Sequence, residues 1–195
     1  MAAKYEKMYQ DADVYDIRAE GKERDRRFII SFSSEKPYRR CFGNEILSHS
    51  EGCADFKRLN EIGVVLYNHD RDTVIGKINR AWIENNRGCA EIQFDDDPES
   101  EIVYQKVKNK TLKGVSVGYC VTRWESVAAG EKSSDGKFDG PAEIATNWEA
   151  LEISIVSVPA DSDVGVNREF GYDSDEKTAL FDLYQRQIEA NKNYL

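Results

Sequence analysis

The stretch GVSVGYCVTRW (114–124) constrains this chain most. It is apolar and β-branched and opens on Gly114, so it predicts a buried strand. One hydroxyl, Ser116, stands between Val115 and Val117. A serine inside such a run is either a satisfied core group or a nucleophile, and glycines at 114 and 118 keep its surroundings open. A second run, NWEALEISIVSVPAD (147–161), is also of strand type and ends at Pro159. It carries an acid, Glu152, between Leu151 and Ile153.

Other segments add to a strand-rich expectation. VYDIRAE (14–20) and RFIISFSS (27–34) predict two strands joined by the charged turn GKERDR. IGVVLYNHD (62–70) is an apolar run ending in a polar cluster. VIGKINRAWIE (74–84) and GCAEIQFD (88–95) predict a hairpin around NNRG. The clearest helix lies within 96–114. Asp97 is its N-cap, Pro98 its first residue, and acids lead while lysines follow. Ile102, Val103 and Val107 mark its apolar face. Residues 173–190 predict a closing amphipathic helix, with Asp173 and Glu176 as its cap and Leu180, Tyr184 and Ile188 on one face. Residues 1–12 are expected to fray. Residues 36–61 are expected to form a long loop with a short helix near 53–60, a candidate wall for a substrate groove. The Gly- and Ser-rich stretch 126–146 is expected to be a mobile surface loop.

Composition narrows the function. The net charge is -9, and the basic run Arg24–Arg27 is short, reading as a solvated turn; a phosphate-binding groove needs clustered cations, so nucleic acid is not expected as a partner. No apolar run approaches the roughly 20 residues that cross a bilayer, and no signal-peptide core is present, so no membrane association is expected. Cys41, Cys53, Cys89 and Cys120 form no CxxC pair. A metal held by Cys41, His49 and Cys53 is the weaker reading beside reduced thiols in a reducing compartment.

A serine becomes nucleophilic when a base takes its proton, and histidine titrates near neutrality. There are two histidines. His69 ends an apolar strand, where packing meets the surface. His49 lies in the polar stretch ILSHSEG and is expected to be exposed. A base needs an orienting partner on its other nitrogen. Glu152 fits, because a buried carboxylate is costly unless paired. Strand alternation places Glu152, Ser154 and Val156 on one face and Glu149 off it. Cys120 is a rival nucleophile on the face of Ser116. Asp70 is a rival acid, although adjacent strand residues point to opposite faces.

The segments PYRRCFGNEILSHS (37–50), RLNEIGVVLYNHDRDTVIGKI (58–78), LKGVSVGYCV (112–121) and WEALEISIVSVPADSDVGV (148–166) together resemble the prohead, or capsid-maturation, serine proteases of tailed bacteriophages. That family is similar in fold to the herpesvirus assembly proteases. The resemblance therefore implies an α+β fold, a closed mixed β-barrel surrounded by helices. The matching segments cover most of 27–168, the implied protease domain; the strand and charged turn in a partly flexible 1–26, the mobile loop 126–146 and the helix in 169–195 carry no match and are read from the residues alone. The resemblance implies His69 as base, Ser116 as nucleophile and Glu152 as third member. Herpesvirus relatives use a second histidine there, and this segment has none. The implied role is a serine endopeptidase in the host cytoplasm, inside the immature capsid. It would cut the major capsid protein, scaffolding segments and itself. No cofactor or metal is implied, and a homodimer is possible. Two other classes stand beside this one. The first is a non-catalytic scaffold or shell-binding protein with the same fold. The second is a metal hydrolase using His49, His69 and carboxylates.

Overall fold

A computed structural model describes residues 8–12, 18–20, 26–40 and 43–158. Within them, eleven strands form one mixed, curled sheet, accompanied by two helices. In chain order the strands begin with β1 (Met8–Ala12), β2 (Arg18–Glu20), β3 (Arg27–Ser34), β4 (Tyr38–Arg40), β5 (Gly43–Leu47) and β6 (Ala54–Asp55). Helix α1 (Lys57–Ile62) leads to β7 (Val64–Tyr67), β8 (Asp70–Glu84) and β9 (Arg87–Phe94). Helix α2 (Pro98–Lys108) leads to the longest hairpin, β10 (Gly114–Val127) with β11 (Ala142–Val156).

β11 is the spine. One edge pairs antiparallel with β10 along nearly its whole length. Its other edge is lined in turn by three short parallel strands, β5, β6 and β7. The stretch 36–61, expected to be a loop, is thus largely threaded along the sheet. Its strands run two to five residues, too short to show an alternating pattern. The sheet path runs β1-β10-β11-β7-β8-β9-β3-β2. β1 pairs with β10 where fraying was expected.

The concave interior is apolar. Val115, Val117 and Tyr119 from β10 meet Trp148, Ala150, Ile153 and Ile155 from β11. Phe28, Ile30 and Phe32 from β3, with Ala90, Ile92 and Phe94 from β9, close the other side. Leu59 of α1 and Val103, Tyr104 and Val107 of α2 complete it. Rings of Phe32, Phe56, Trp148 and Tyr119 pack edge to face in series. A smaller cluster of Ile46, Val127, Ala142 and Ile144 sits at the far end of the long hairpin. That hairpin extends further than its composition suggested. The loop proper spans 128–141, tied by Ser133–Phe138 backbone and side-chain bonds and by Lys137 on Glu35 at 2.5 Å.

Helix α2 starts where expected. The Asp97 carboxylate accepts from the Ser100 hydroxyl and from the amides of Ser100 and Glu99, and these bonds, the hydroxyl's foremost, hold its pKa below the usual range. Its buried face is Ser100, Val103, Tyr104 and Val107; Ile102 points to solvent at 58% exposure, against expectation. Arg26, assigned by sequence to a solvated turn, instead lies over the Tyr104 ring and bonds Glu101 and the carbonyls of Phe94 and Asp95. The predicted strand 14–20 is described only as β2, and the predicted helix 173–190 lies outside the described residues, as does Cys41.

One correction concerns a polar group. His49 is buried, with Nε2 2.7 Å from Ser33 Oγ and its ring edge-on to Trp148. Burial lowers its pKa to about 4, so the ring is neutral near pH 7. Its approach through SHSEG looked polar because the buried run 45–49 ends in two polar residues, Ser48 and His49, just before the chain returns to the surface at Glu51. Glu45 is fully buried too. Tyr119 donates its hydroxyl proton to Glu45, and Arg40 donates to both. This network ties the β4–β5 ribbon to the underside of the serine strand.

Candidate active site

His69 sits in a two-residue turn. Tyr67 and Asp70 pair across β7 and β8, leaving Asn68 and His69 between them with φ of 52° and 61°. Two consecutive positive φ values are the signature of a primed hairpin turn, whose twist matches the strands. Neither residue is glycine, and left-handed backbone costs an ordinary residue on the order of 1–2 kcal/mol. The cost is offset by specific bonds. Asn68 N donates to the Ile155 carbonyl at 2.9 Å, and Asn68 Oδ1 accepts from Ser157 N at 2.8 Å. His69 N donates to Ser154 Oγ at 3.2 Å. The imidazole is therefore held on the end of a rigid hairpin beside β11.

Glu152 meets it there. His69 Nδ1 is 2.8 Å from Glu152 Oε1, and Ser154 Oγ donates to Glu152 Oε2 at 2.8 Å. The glutamate side chain is 8% exposed and the histidine 25%. A largely buried carboxylate thus has a partner on each oxygen, which removes the cost that made it conspicuous in the sequence. The bond to the acid engages Nδ1, which fixes the orientation of the ring.

Ser116 stands directly across from Ser154 in the β10–β11 ladder. Residues paired in this way share a face with Cβ atoms about 5 Å apart. Val115 and Val117 point into the core, so Ser116 points to the opposite face, the one carrying Glu152 and Ser154. The register therefore gathers residues 69, 116 and 152 on one patch. Ser116 has no exposed surface, and Asp11 of β1 occupies the register position on its other flank. Gly114, expected to keep space open, has a packing role instead: a Cβ there would lie 2.5 Å from the Val156 carbonyl oxygen.

The rivals are separated by the same geometry. Asp70 is exposed and turned onto its own loop, accepting from Asp72 N and Thr73 Oγ1, which lowers its pKa. Cys120 does share the Ser116 face. Its thiol is pushed up by burial and by the facing Glu149, 3.8 Å away, which favours the unreactive protonated form. Glu149 itself is a correction. Gly118 pairs with Glu152, but the next residue, Tyr119, pairs with Ala150, so Leu151 is an extra residue. This bulge resets alternation, and Glu149 returns to the face of Glu152, opposite Cys120. Simple alternation over LEISIVSV could not reveal it.

Sequence reasoning overlooked Ser154 and Asn68. Both left a signal. Ser154 is a hydroxyl two residues from a buried acid, and Asn68 is a turn former between two strand-like runs. Among the described residues no group of three or more His, Cys, Asp or Glu side chains is clustered to hold a metal ion, and His49 is engaged with Ser33.

Comparison with known proteins gives two findings. Residues 28–177 match the family model described as caudovirus prohead serine protease. The chain is also similar to a protein named major capsid protein from Halomonas phage phiHAP-1, with 30% identity over 168 residues. That alignment takes in 84% of this chain and 26% of the relative, so the chain spans about a quarter of the relative's length. No solved structure matches it significantly.

Proposed function

We propose, for a chain that belongs to the caudovirus prohead serine protease family, a serine endopeptidase of capsid maturation whose reacting centre is Ser116, His69 and Glu152. The observation that carries this reading is the 2.8 Å bond from His69 Nδ1 to Glu152, on the face that Ser116 shares. Ser116 Oγ attacks the scissile carbonyl carbon while His69 Nε2 takes the hydroxyl proton. The tetrahedral oxyanion is held by backbone N–H groups. His69 then returns the proton to the departing amine, leaving an acyl-enzyme that water hydrolyses by the same relay. Glu152 stays ionised, fixes the Nδ1–H tautomer and stabilises the imidazolium. The curled mixed sheet is compatible with a barrel of the herpesvirus assembly-protease type. The substrates in this reading are the major capsid protein and scaffolding segments, with self-cleavage, inside the immature shell. The name of the phiHAP-1 relative supports a shell-associated substrate.

The test is mass spectrometry of the capsid protein co-expressed with wild type and with Ser116→Ala. Processing is expected with wild type and absent with the variant, while both proteins melt alike. Normal processing by Ser116→Ala removes the mechanism. The complete burial of Ser116 favours a second reading, a shell-binding protein that keeps the fold without catalysis. Labelling of Ser116 by a fluorophosphonate probe excludes it; a wild-type chain that neither labels nor processes supports it.

A further inference from the structure

Ser154 makes three relationships at once. It accepts from the His69 backbone N–H at 3.2 Å, donates to Glu152 Oε2 at 2.8 Å, and faces Ser116 across the ladder. It is fully buried, so water does not substitute for any of these. A serine hydroxyl has one proton and two lone pairs. Its proton is committed to Glu152 and one lone pair to the His69 turn. We infer that Ser154 is the positioning residue of this centre, the single hydroxyl that sets both the rotamer of Glu152 and the backbone of His69. This inference rests on the reading of Ser116, His69 and Glu152 given above.

The physical case is one of over-determination. A left-handed non-glycine residue persists only where its surroundings hold it. The His69 amide has Ser154 Oγ as its acceptor, so losing that oxygen frees the turn to relax. The bonds from His69 to Oε1 and from Ser154 to Oε2 hold the Glu152 carboxylate at both oxygens, and removing the second loosens that hold. Because the same atom serves both ends, the imidazole and the acid are aligned to each other rather than separately to the scaffold. Buried bonds to charged groups have large effects when one partner is removed.

The experiment follows Ser116 labelling by a fluorophosphonate probe, separating the maximal labelling rate from the half-saturating concentration. Ser154→Ala and Ser154→Cys are compared with wild type; the alanine removes the hydroxyl, and the somewhat larger cysteine fills its place but bonds weakly. Both variants are expected to lose about 10- to 100-fold in maximal rate at an unchanged half-saturating concentration. In a Ser116→Ala background, the downfield Nδ1–H proton resonance of His69 is expected to broaden on Ser154→Ala, a change that general loosening of the sheet would not single out. Wild-type rates in both variants, or an undisturbed Nδ1–H resonance, overturn the inference. Glu152→Gln run in parallel separates the two failures. If Glu152→Gln is impaired and the Ser154 variants are not, only the role of Ser154 falls. If Glu152→Gln labels normally, the reading of the centre falls with it.

Discussion

At the scale of single residues, the two acids on the face of β11 that Ser116 shares make the sharpest contrast. Glu152 bonds the imidazole, whereas Glu149 faces Cys120 one bulge further along β11. Neutralising the first removes the partner that selects the His69 tautomer. Glu152→Gln is therefore expected to slow Ser116 labelling and substrate cleavage by about 10²- to 10⁴-fold, by analogy with the loss of a triad acid. Glu149→Gln removes a carboxylate that pushes the Cys120 pKa up, so it is expected to raise thiol alkylation at Cys120 while leaving Ser116 chemistry nearly unchanged. Rate measurements with a fluorophosphonate and with iodoacetamide check both. The reverse order for Ser116 would transfer the third role to Glu149.

At the scale of elements, β11 works because of one inserted residue. Trp148 and Ala150 point inward, and so do Ile153 and Ile155, although three positions rather than two separate the inner pair. Leu151 absorbs the difference, and Gly118 lies opposite the bulge. Deleting Leu151 restores strict alternation and leaves every core residue inward, while re-aiming Glu152. The expected outcome is a protein that still melts cooperatively, with the Ser116 labelling rate sharply reduced. Deleting Ile153 instead turns Glu152 or Ser154 inward and is expected to prevent folding, since a one-residue slip exchanges the faces of a strand. Thermal melts with near-ultraviolet circular dichroism of the aromatic core distinguish the two. Equal collapse of both variants would mean that the bulge is required for the sheet itself. The hairpin turns follow a related logic. Asn68–His69 and Asn85–Asn86 are both two-residue turns with positive φ, and only the first places a titratable ring in that position.

At the scale of the whole molecule, stability should depend on pH through the buried His49. Its folded pKa is about 4, below the reference value of 6.5. As pH falls through the unfolded value, the unfolded chain takes up a proton that the folded chain refuses. Stability is therefore full above about pH 6.5, declines between there and about pH 4, and then levels. The total is roughly 3 kcal/mol at 1.36 kcal/mol for each unit. Urea unfolding at pH 7 and pH 5 is expected to show about 2 kcal/mol of this loss, and a folded His49→Asn protein is expected to lack that part of it. A wild-type midpoint independent of pH over this range would contradict the burial of the ring.

Much of this molecule was legible before any coordinates. Asp97 and Pro98 marked the start of α2 because capping is local chemistry. The bounds of β3 matched RFIISFSS because a β-branched run needs no distant partner to declare itself. Glu152 drew attention because an acid among aliphatic residues must find a partner. What the sequence could not decide is what depends on pairing at a distance. The burial of His49 and Glu45, the return of Glu149 to the face of Glu152, and the threading of 36–61 along β11 are all set by register between segments far apart in the chain. A local pattern records which residues avoid water; only the ladder of the folded sheet determines which of them face one another.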